Sequence, residues 1–239
     1  MRNVTSDRDG DGVTDVWGIA VPNLGMFFTN LVYSNGSFLT GYDDTGRFIS
    51  NIAEPAIVEA AEFMHELFNV HKSVVTGNNI RDNVIVTLFE QDVIAFSSGY
   101  TIALLGNEPL YGMVFYPKGP RASDYSSVFS AGTVFAIPSS VENKKEIAVV
   151  LGEAIKFLDL DYEYNDLALT KKKHSTNNFL TIEQAVEKAK FTQFDYWQLI
   201  EECNSIANKI MKGEENIEEM LNKESTSLQT RLNGYNMRR

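Results

Sequence analysis

Four aspartates stand at Asp7, Asp9, Asp11 and Asp15 in the stretch Asp-Arg-Asp-Gly-Asp-Gly-Val-Thr-Asp. Alternating carboxylates in a tight loop are the donor set of a hard cation, because calcium takes six to eight oxygen ligands. Asp7, Asp9 and Asp11 would supply the first three, Gly12 the sharp turn, Val13 its carbonyl oxygen, and Asp15 a direct or water-bridged ligand. A complete helix-loop-helix calcium site would carry a bidentate Glu at the twelfth position, which here is Gly18. The motif is therefore half a site that needs a ligand from elsewhere. The competing reading is a solvated acidic turn that holds no ion.

A second chemistry belongs to the aromatics. Tyr100 follows Phe-Ser-Ser-Gly, where a strand ends. Tyr196 and Trp197 sit beside Asp195 ahead of a helix, and Met26 and Phe27 follow Pro-Asn-Leu-Gly. An aromatic face packs against the apolar C–H face of a sugar while a nearby Asp bonds its hydroxyls. For any one of these residues, core packing is the competing reading. Catalytic chemistry has little support. The histidines are His65, His71 and His174, and no zinc-protease, nucleophile-elbow or phosphate-loop motif is present. A pair of carboxylates for glycoside hydrolysis could still be assembled in space.

These residues need elements to position them. Val-Trp-Gly-Ile-Ala-Val-Pro after the acidic loop reads as a short strand. Asn35-Gly36 and Gly-Tyr-Asp-Asp-Thr-Gly are turn signals. Residues 55–69 form a helix, with Pro55 in the first turn and Ile57, Ala61, Met64 and Phe68 on one face. Val93–Phe96 is a buried strand ending at Ser97-Ser98-Gly99, and Gly-Met-Val-Phe-Tyr-Pro and Thr-Val-Phe-Ala-Ile-Pro give two more. Residues 143–158 present Ile147, Val150, Leu151, Ala154, Ile155 and Leu158 on one helical face. Thr181 with Gln184 resembles a capping box that opens another helix. Leu199, Cys203, Ile206 and Ile210 line a helix stopped by Gly213, and Ile217, Met220, Leu221 and Leu228 line the last. Short strands among helices specify an α/β layered architecture.

Composition narrows the functions. The 239 residues carry 21 basic and 32 acidic side chains, a net charge of −11. That sign repels phosphate backbones and argues against nucleic acid as a partner. The single cysteine, Cys203, makes an intramolecular disulfide impossible and reads as a buried thiol. The opening Met-Arg-Asn-Val-Thr-Ser-Asp-Arg-Asp-Gly is polar, unlike a signal peptide, and no apolar run is long enough to span a membrane.

The order of the pieces resembles the family 1 extracellular solute-binding proteins of ABC importers. Four stretches carry the resemblance: the acidic loop running into Trp17-Gly18; the helix from Pro55 followed by Leu-Phe-Glu-Gln-Asp-Val-Ile-Ala-Phe-Ser-Ser-Gly-Tyr; Tyr-Pro-Lys-Gly-Pro through the strand and helix of 130–158; and Phe-Asp-Tyr-Trp with the helical hairpin after it. The resemblance implies a two-lobed α/β fold of the periplasmic-binding-protein type II class. It also implies a carbohydrate ligand, an ABC permease as partner, and an extracellular or periplasmic location with a lipid tether in the full-length protein. Tyr100, Trp197, Tyr196, Asp195, Phe27 and Met26 would touch the ligand, and calcium would be structural at Asp7, Asp9, Asp11, Val13 and Asp15. Residues 1–128 and 178–239 would form the C-terminal lobe. Residues 129–177 would be an excursion belonging to an N-terminal lobe that is otherwise missing, and its apolar surface would favour self-association. The alternatives are a carbohydrate-active enzyme lobe and an interaction fragment without a ligand.

Overall fold

The computed structural model describes residues 2–77, 82–98, 112–129, 137–138, 140–154, 176–191, 199–213 and 216–237. Strand β1 (Trp17–Val21) is its centre. Its Gly-Ile-Ala-Val run is buried, as a strand covered on both faces requires. β4 (Val74–Thr76) pairs parallel to one edge of β1 and β5 (Ile94–Ser97) parallel to the other, giving the order β4-β1-β5. Neighbouring residues extend both ladders: Trp17 N–H donates to Val93 O at 2.9 Å, and Ile19 N–H to Ser73 O at 3.0 Å.

The helices cover the two faces of this sheet. Ile19 and Val21 join the main core, built with α1 (Leu24–Ser34), α2 (Pro55–His65), α6 (Ile200–Lys212) and α7 (Ile217–Asn236). Ala20 and Ile94 meet Ile85 of α3 (Asp82–Glu90) in a smaller cluster, with Trp17, Val75 and Leu88 packed against it. This sandwich is the expected α/β architecture. The antiparallel pair β2 (Thr40–Tyr42) and β3 (Phe48–Ser50) folds around the turn at Asp43, and β3 lies along α7. There Gln229 and Asn236 side chains accept from Ser50 and Phe48 N–H at 2.8 and 2.9 Å.

Helix α1 was not legible as an amphipathic helix, because it has almost no exposed side: Gly25, Phe27, Phe28, Thr29 and Leu31 through Ser34 are all buried. α2 departs from its expected face at its end. The chain widens into a π-helical turn at Glu66–Val70, which brings Leu67 into the core and leaves Phe68 only partly buried. α6 stops at Gly213, whose φ of 66° is the left-handed conformation expected there. Cys203 is buried, with Thr29 Oγ1 3.7 Å from its sulfur.

Other expectations need correction. Residues 112–117 form no strand; Tyr116 is instead held by its side chain, which hydrogen-bonds Ser98 and packs on Phe27. The helix expected to open at Thr181 is α5 (Thr176–Glu187), so Thr181 and Gln184 lie inside it. Residues 144–154 are helical (α4), but Val150 is 69% exposed. Most of the Thr-Val-Phe-Ala-Ile-Pro strand falls outside the described residues. The parallel pair β6 (Ser127–Phe129) and β7 (Ala189–Phe191) was not expected, since three-residue strands leave no periodic signal.

A polar clamp fastens the segment after Pro117 to α1 and α2. Buried Asn35 donates to Ala56 O at 2.8 Å and to Glu59 Oε2 at 3.2 Å, and accepts from Arg121 N–H at 3.2 Å. Arg121 grips Glu59 with Nε and Nη2 at 2.8 and 2.7 Å. Gly119 N–H donates to Ser34 O at 2.8 Å, an approach so close that a Cβ on Gly119 would lie 2.8 Å from Asn35 Cα. Gly119→Ala should therefore destabilise the fold by about 1–3 kcal/mol through overpacking. Gly152→Ala, with open space around it, should change stability by less than about 1 kcal/mol. Urea midpoints at constant slope test both; equal effects at the two positions would contradict the clamp.

Candidate functional site

The order β4-β1-β5 places the chain reversal at β1. α1 and α2 leave β1 across one face, and α3 crosses to β5 over the other. In an open parallel sheet such a switch point leaves a crevice at the carboxyl ends of the strands, where ligands bind. Here that edge consists of Val21 to Asn23, Thr76 and Gly77, and Ser97 and Ser98. It is tied together locally. Thr76 Oγ1 donates to Val21 O at 2.7 Å, and Ser98 N–H donates to Ala20 O at 2.9 Å.

α1 begins at this edge, so its positive dipole end faces it. Asn23 caps the helix by accepting from Met26 N–H at 2.9 Å, and Asn204 of α6 accepts from Gly25 N–H at 3.0 Å. Gly25 is required there, because a Cβ would fall 2.5 Å from Asn204 Oδ1. Beneath the edge lies an apolar cavity of about 220 Å³, between β5, α1 and residues 114–117. The Tyr116 hydroxyl closes its polar end against Ser98, and burial pushes its pKa up to about 12 despite hydrogen bonds to Ser98 and Asn30. Ser97 Oγ is buried without a hydrogen-bond partner among the described residues.

The expected ligand residues divide. Phe27 is 1% exposed and packs in the core against Tyr116, with ring centroids 6.2 Å apart, so it offers no open stacking face. The cause is the burial of α1 on all sides. Met26, one position earlier, is half-buried. Tyr100, Asp195, Tyr196 and Trp197 lie outside the described residues. Asn23, Thr76 and Ser98 were missed; of these only Asn23 had a signal, as a capping residue after Pro22.

The acidic loop is ordered by its own amides. Asp7 accepts from Gly10 and Gly12 N–H at 2.7 and 2.8 Å, and Asp15 from Arg8 N–H at 2.6 Å. Carboxylate oxygens of Asp7, Asp9 and Asp15 lie within 4.8 Å of one another. That is the span two ligands have across a calcium ion, about twice 2.3–2.6 Å. The residues present thus fit the ion in part. Asp11 does not join the three; its Oδ1 accepts from Val13 N–H at 2.7 Å.

With this geometry in view, comparison with solved structures is informative. The maltose/maltodextrin-binding domain MalE from Bdellovibrio bacteriovorus, bound to maltotriose, superposes with a TM-score of 0.64 at 15% identity, over 97% of this chain and 64% of that one. Maltose-bound MalE3 of T. maritima gives 0.60 at 18% identity, over 90% and 60%. The chain shares its fold with part of the two-lobed periplasmic binding proteins. The ABC substrate-binding protein Lmo0181 from Listeria monocytogenes, in complex with cycloalternan, gives 0.54 at 15% identity, over 95% and 61%. This chain thus spans less than two thirds of each binding-protein chain. Those structures are of binding proteins, not enzymes. No protein-family model and no curated protein matches the sequence. Among the described residues, no helix is long and apolar enough to cross a membrane.

The loop geometry sets a pH dependence. The amides of Gly12 and then Gly10 stabilise the ionised Asp7 carboxylate and lower its pKa from 3.8. A lowered folded pKa contributes stability that is present above the unfolded value and is lost as pH falls through the folded one. Carboxyl NMR should show Asp7 titrating below 3.8, with the Gly10 and Gly12 amides shifting in the same step. Titration at or above that value would contradict the loop structure.

Proposed function

We propose that this chain is the C-terminal lobe, with a short excursion, of the extracellular carbohydrate-binding component of an ABC importer. The carrying observation is the switch point at β1, where the capped start of α1 meets the ends of β4 and β5, on the fold of proteins solved with maltotriose, maltose and cycloalternan. On this reading residues 1–128 and 178–239 make the lobe, and 129–177 the excursion. Tyr100, Asp195, Tyr196 and Trp197 are the residues we assign to stacking on the sugar and bonding its hydroxyls, with Asn23 and Ser98 as further hydroxyl partners. The whole protein hands its ligand to a permease from the extracellular or periplasmic side. Its role is binding without turnover.

A sugar hydrogen bond contributes only about 0.5–1.5 kcal/mol net, so affinity needs many contacts in a closed cleft. One lobe offers an open shelf. Calorimetric titration of this chain with neutral oligosaccharides should give millimolar affinity at best, about −4 kcal/mol. A micromolar Kd lost in Trp197→Ala or Tyr100→Ala would instead mean a complete cleft, assembled by two copies. Saturable oligosaccharide hydrolysis abolished by one Asp or Glu substitution would overturn the binding role.

For the acidic loop we propose structural calcium, held by Asp7, Asp9 and Asp15 with the Val13 carbonyl, and with Asp11 secondary. At calcium about 100 times its Kd, linkage adds about 2.7 kcal/mol to stability. Calcium should raise the Tm of the native chain. Asp9→Asn should remove most of that rise and Asp11→Asn little of it. An unchanged Tm, or equal loss in both variants, would refute the assignment.

A further inference from the structure

A second cavity lies at the other end of α1. It has a volume of about 420 Å³ and opens beside Gly36, between residues 121–126 and the start of β7. α1 has 11 residues, so this cavity is about 16 Å along the helix from Asn23 and the strand-end edge. Its volume is within the range of small-molecule sites.

The lining is chemically specific. Tyr125 is 47% exposed, and its ring packs against Phe115 with centroids 5.3 Å apart. Around it stand Arg121, Ser123, Asp124, Glu187 and Lys188. The charges are two positive and two negative. Arg121 is already bonded to Glu59, and Lys188 to Asp124. With both cations paired, Glu187 leaves the wall with one net negative charge, which gives no attraction to an anion. The wall does offer many oriented donors and acceptors. Asp124 is held ionised by Lys188, and an ionised carboxylate has about four acceptor sites, of which Lys188 and Tyr125 N–H take two. Arg121 uses Nε and Nη2 on Glu59, and Nη1 makes no bond among the described residues.

An exposed aromatic ring flanked by neutralised, hydrogen-bonding ion pairs suits a ring with an apolar face and hydroxyl edges. We propose that this cavity is a second binding site, for one unit of a neutral saccharide, with Tyr125 as the stacking platform and Asp124 and Arg121 as hydroxyl partners. The site is independent of the strand-end edge and does not require it.

The test is an amide NMR titration of the native chain with maltotriose, up to tens of millimolar. The expected result is saturable shifts at 121–126 and 187–189. Tyr125→Ala should weaken them at least tenfold, Asp124→Asn should weaken them severalfold, and Tyr125→Phe should retain them. Galacturonate, an acidic sugar, should bind no better than its neutral counterpart galactose. No saturable shift at 121–126, shifts unchanged in both Tyr125→Ala and Asp124→Asn, or a clear preference for galacturonate would each overturn the proposal. Shifts at 23, 24, 77 and 98 report the strand-end edge separately, so either site can fail alone.

Discussion

The hydrogen-bond ladders on both edges of β1 constrain everything else in this molecule. A strand with parallel partners on two sides has no free backbone edge and both faces to cover. Each parallel partner must also return through a crossover. Covering the faces draws α1, α2 and α6 to Ile19 and Val21, and α3 to Ala20. Placing the crossovers on opposite faces opens the strand ends between them. The proposed ligand edge is thus a product of topology before it is a product of any side chain.

Two polar devices keep this arrangement in register. Asn204 reaches from α6 to Gly25 and fixes the start of α1, and Asn35 fixes its end against α2 and Arg121. Both rely on a glycine without a Cβ, Gly25 at one end and Gly119 at the other. The helix is held at each end by a side-chain amide, buried at Asn35 and half-buried at Asn204, and apolar packing fills the space between. That division fits the general rule that apolar burial supplies most stabilisation, while satisfied polar groups select one geometry.

What could be read in the sequence follows from how local each signal is. α2, α6 and α7 each bury one stripe, so their apolar spacing was visible, as were Gly213 and the turn at Asp43. α1 buries Phe27, Phe28, Leu31, Val32 and Tyr33 around its whole girth, and that erases the periodicity. The same burial explains why Phe27 was misread as a ligand residue. The acidic loop was legible because its chemistry is contiguous. Yet Asp11 turned to its own loop amide, a choice set by backbone geometry that spacing does not encode. Asn23, Thr76 and Ser98 share one sheet edge only because three distant strands pair, and no local pattern marks such a site.

The account stands on the ligand edge being at the carboxyl ends of β4, β1 and β5. Crystals of this chain soaked in about 50 mM maltotriose, an excess over the millimolar Kd expected of an open lobe, test this directly. The predicted result is a sugar ring within hydrogen-bond distance of Asn23 or Ser98, lying across the start of α1. Ordered sugar confined to the opposite ends of these strands would contradict it, as would an empty edge in crystals whose lattice leaves that edge open.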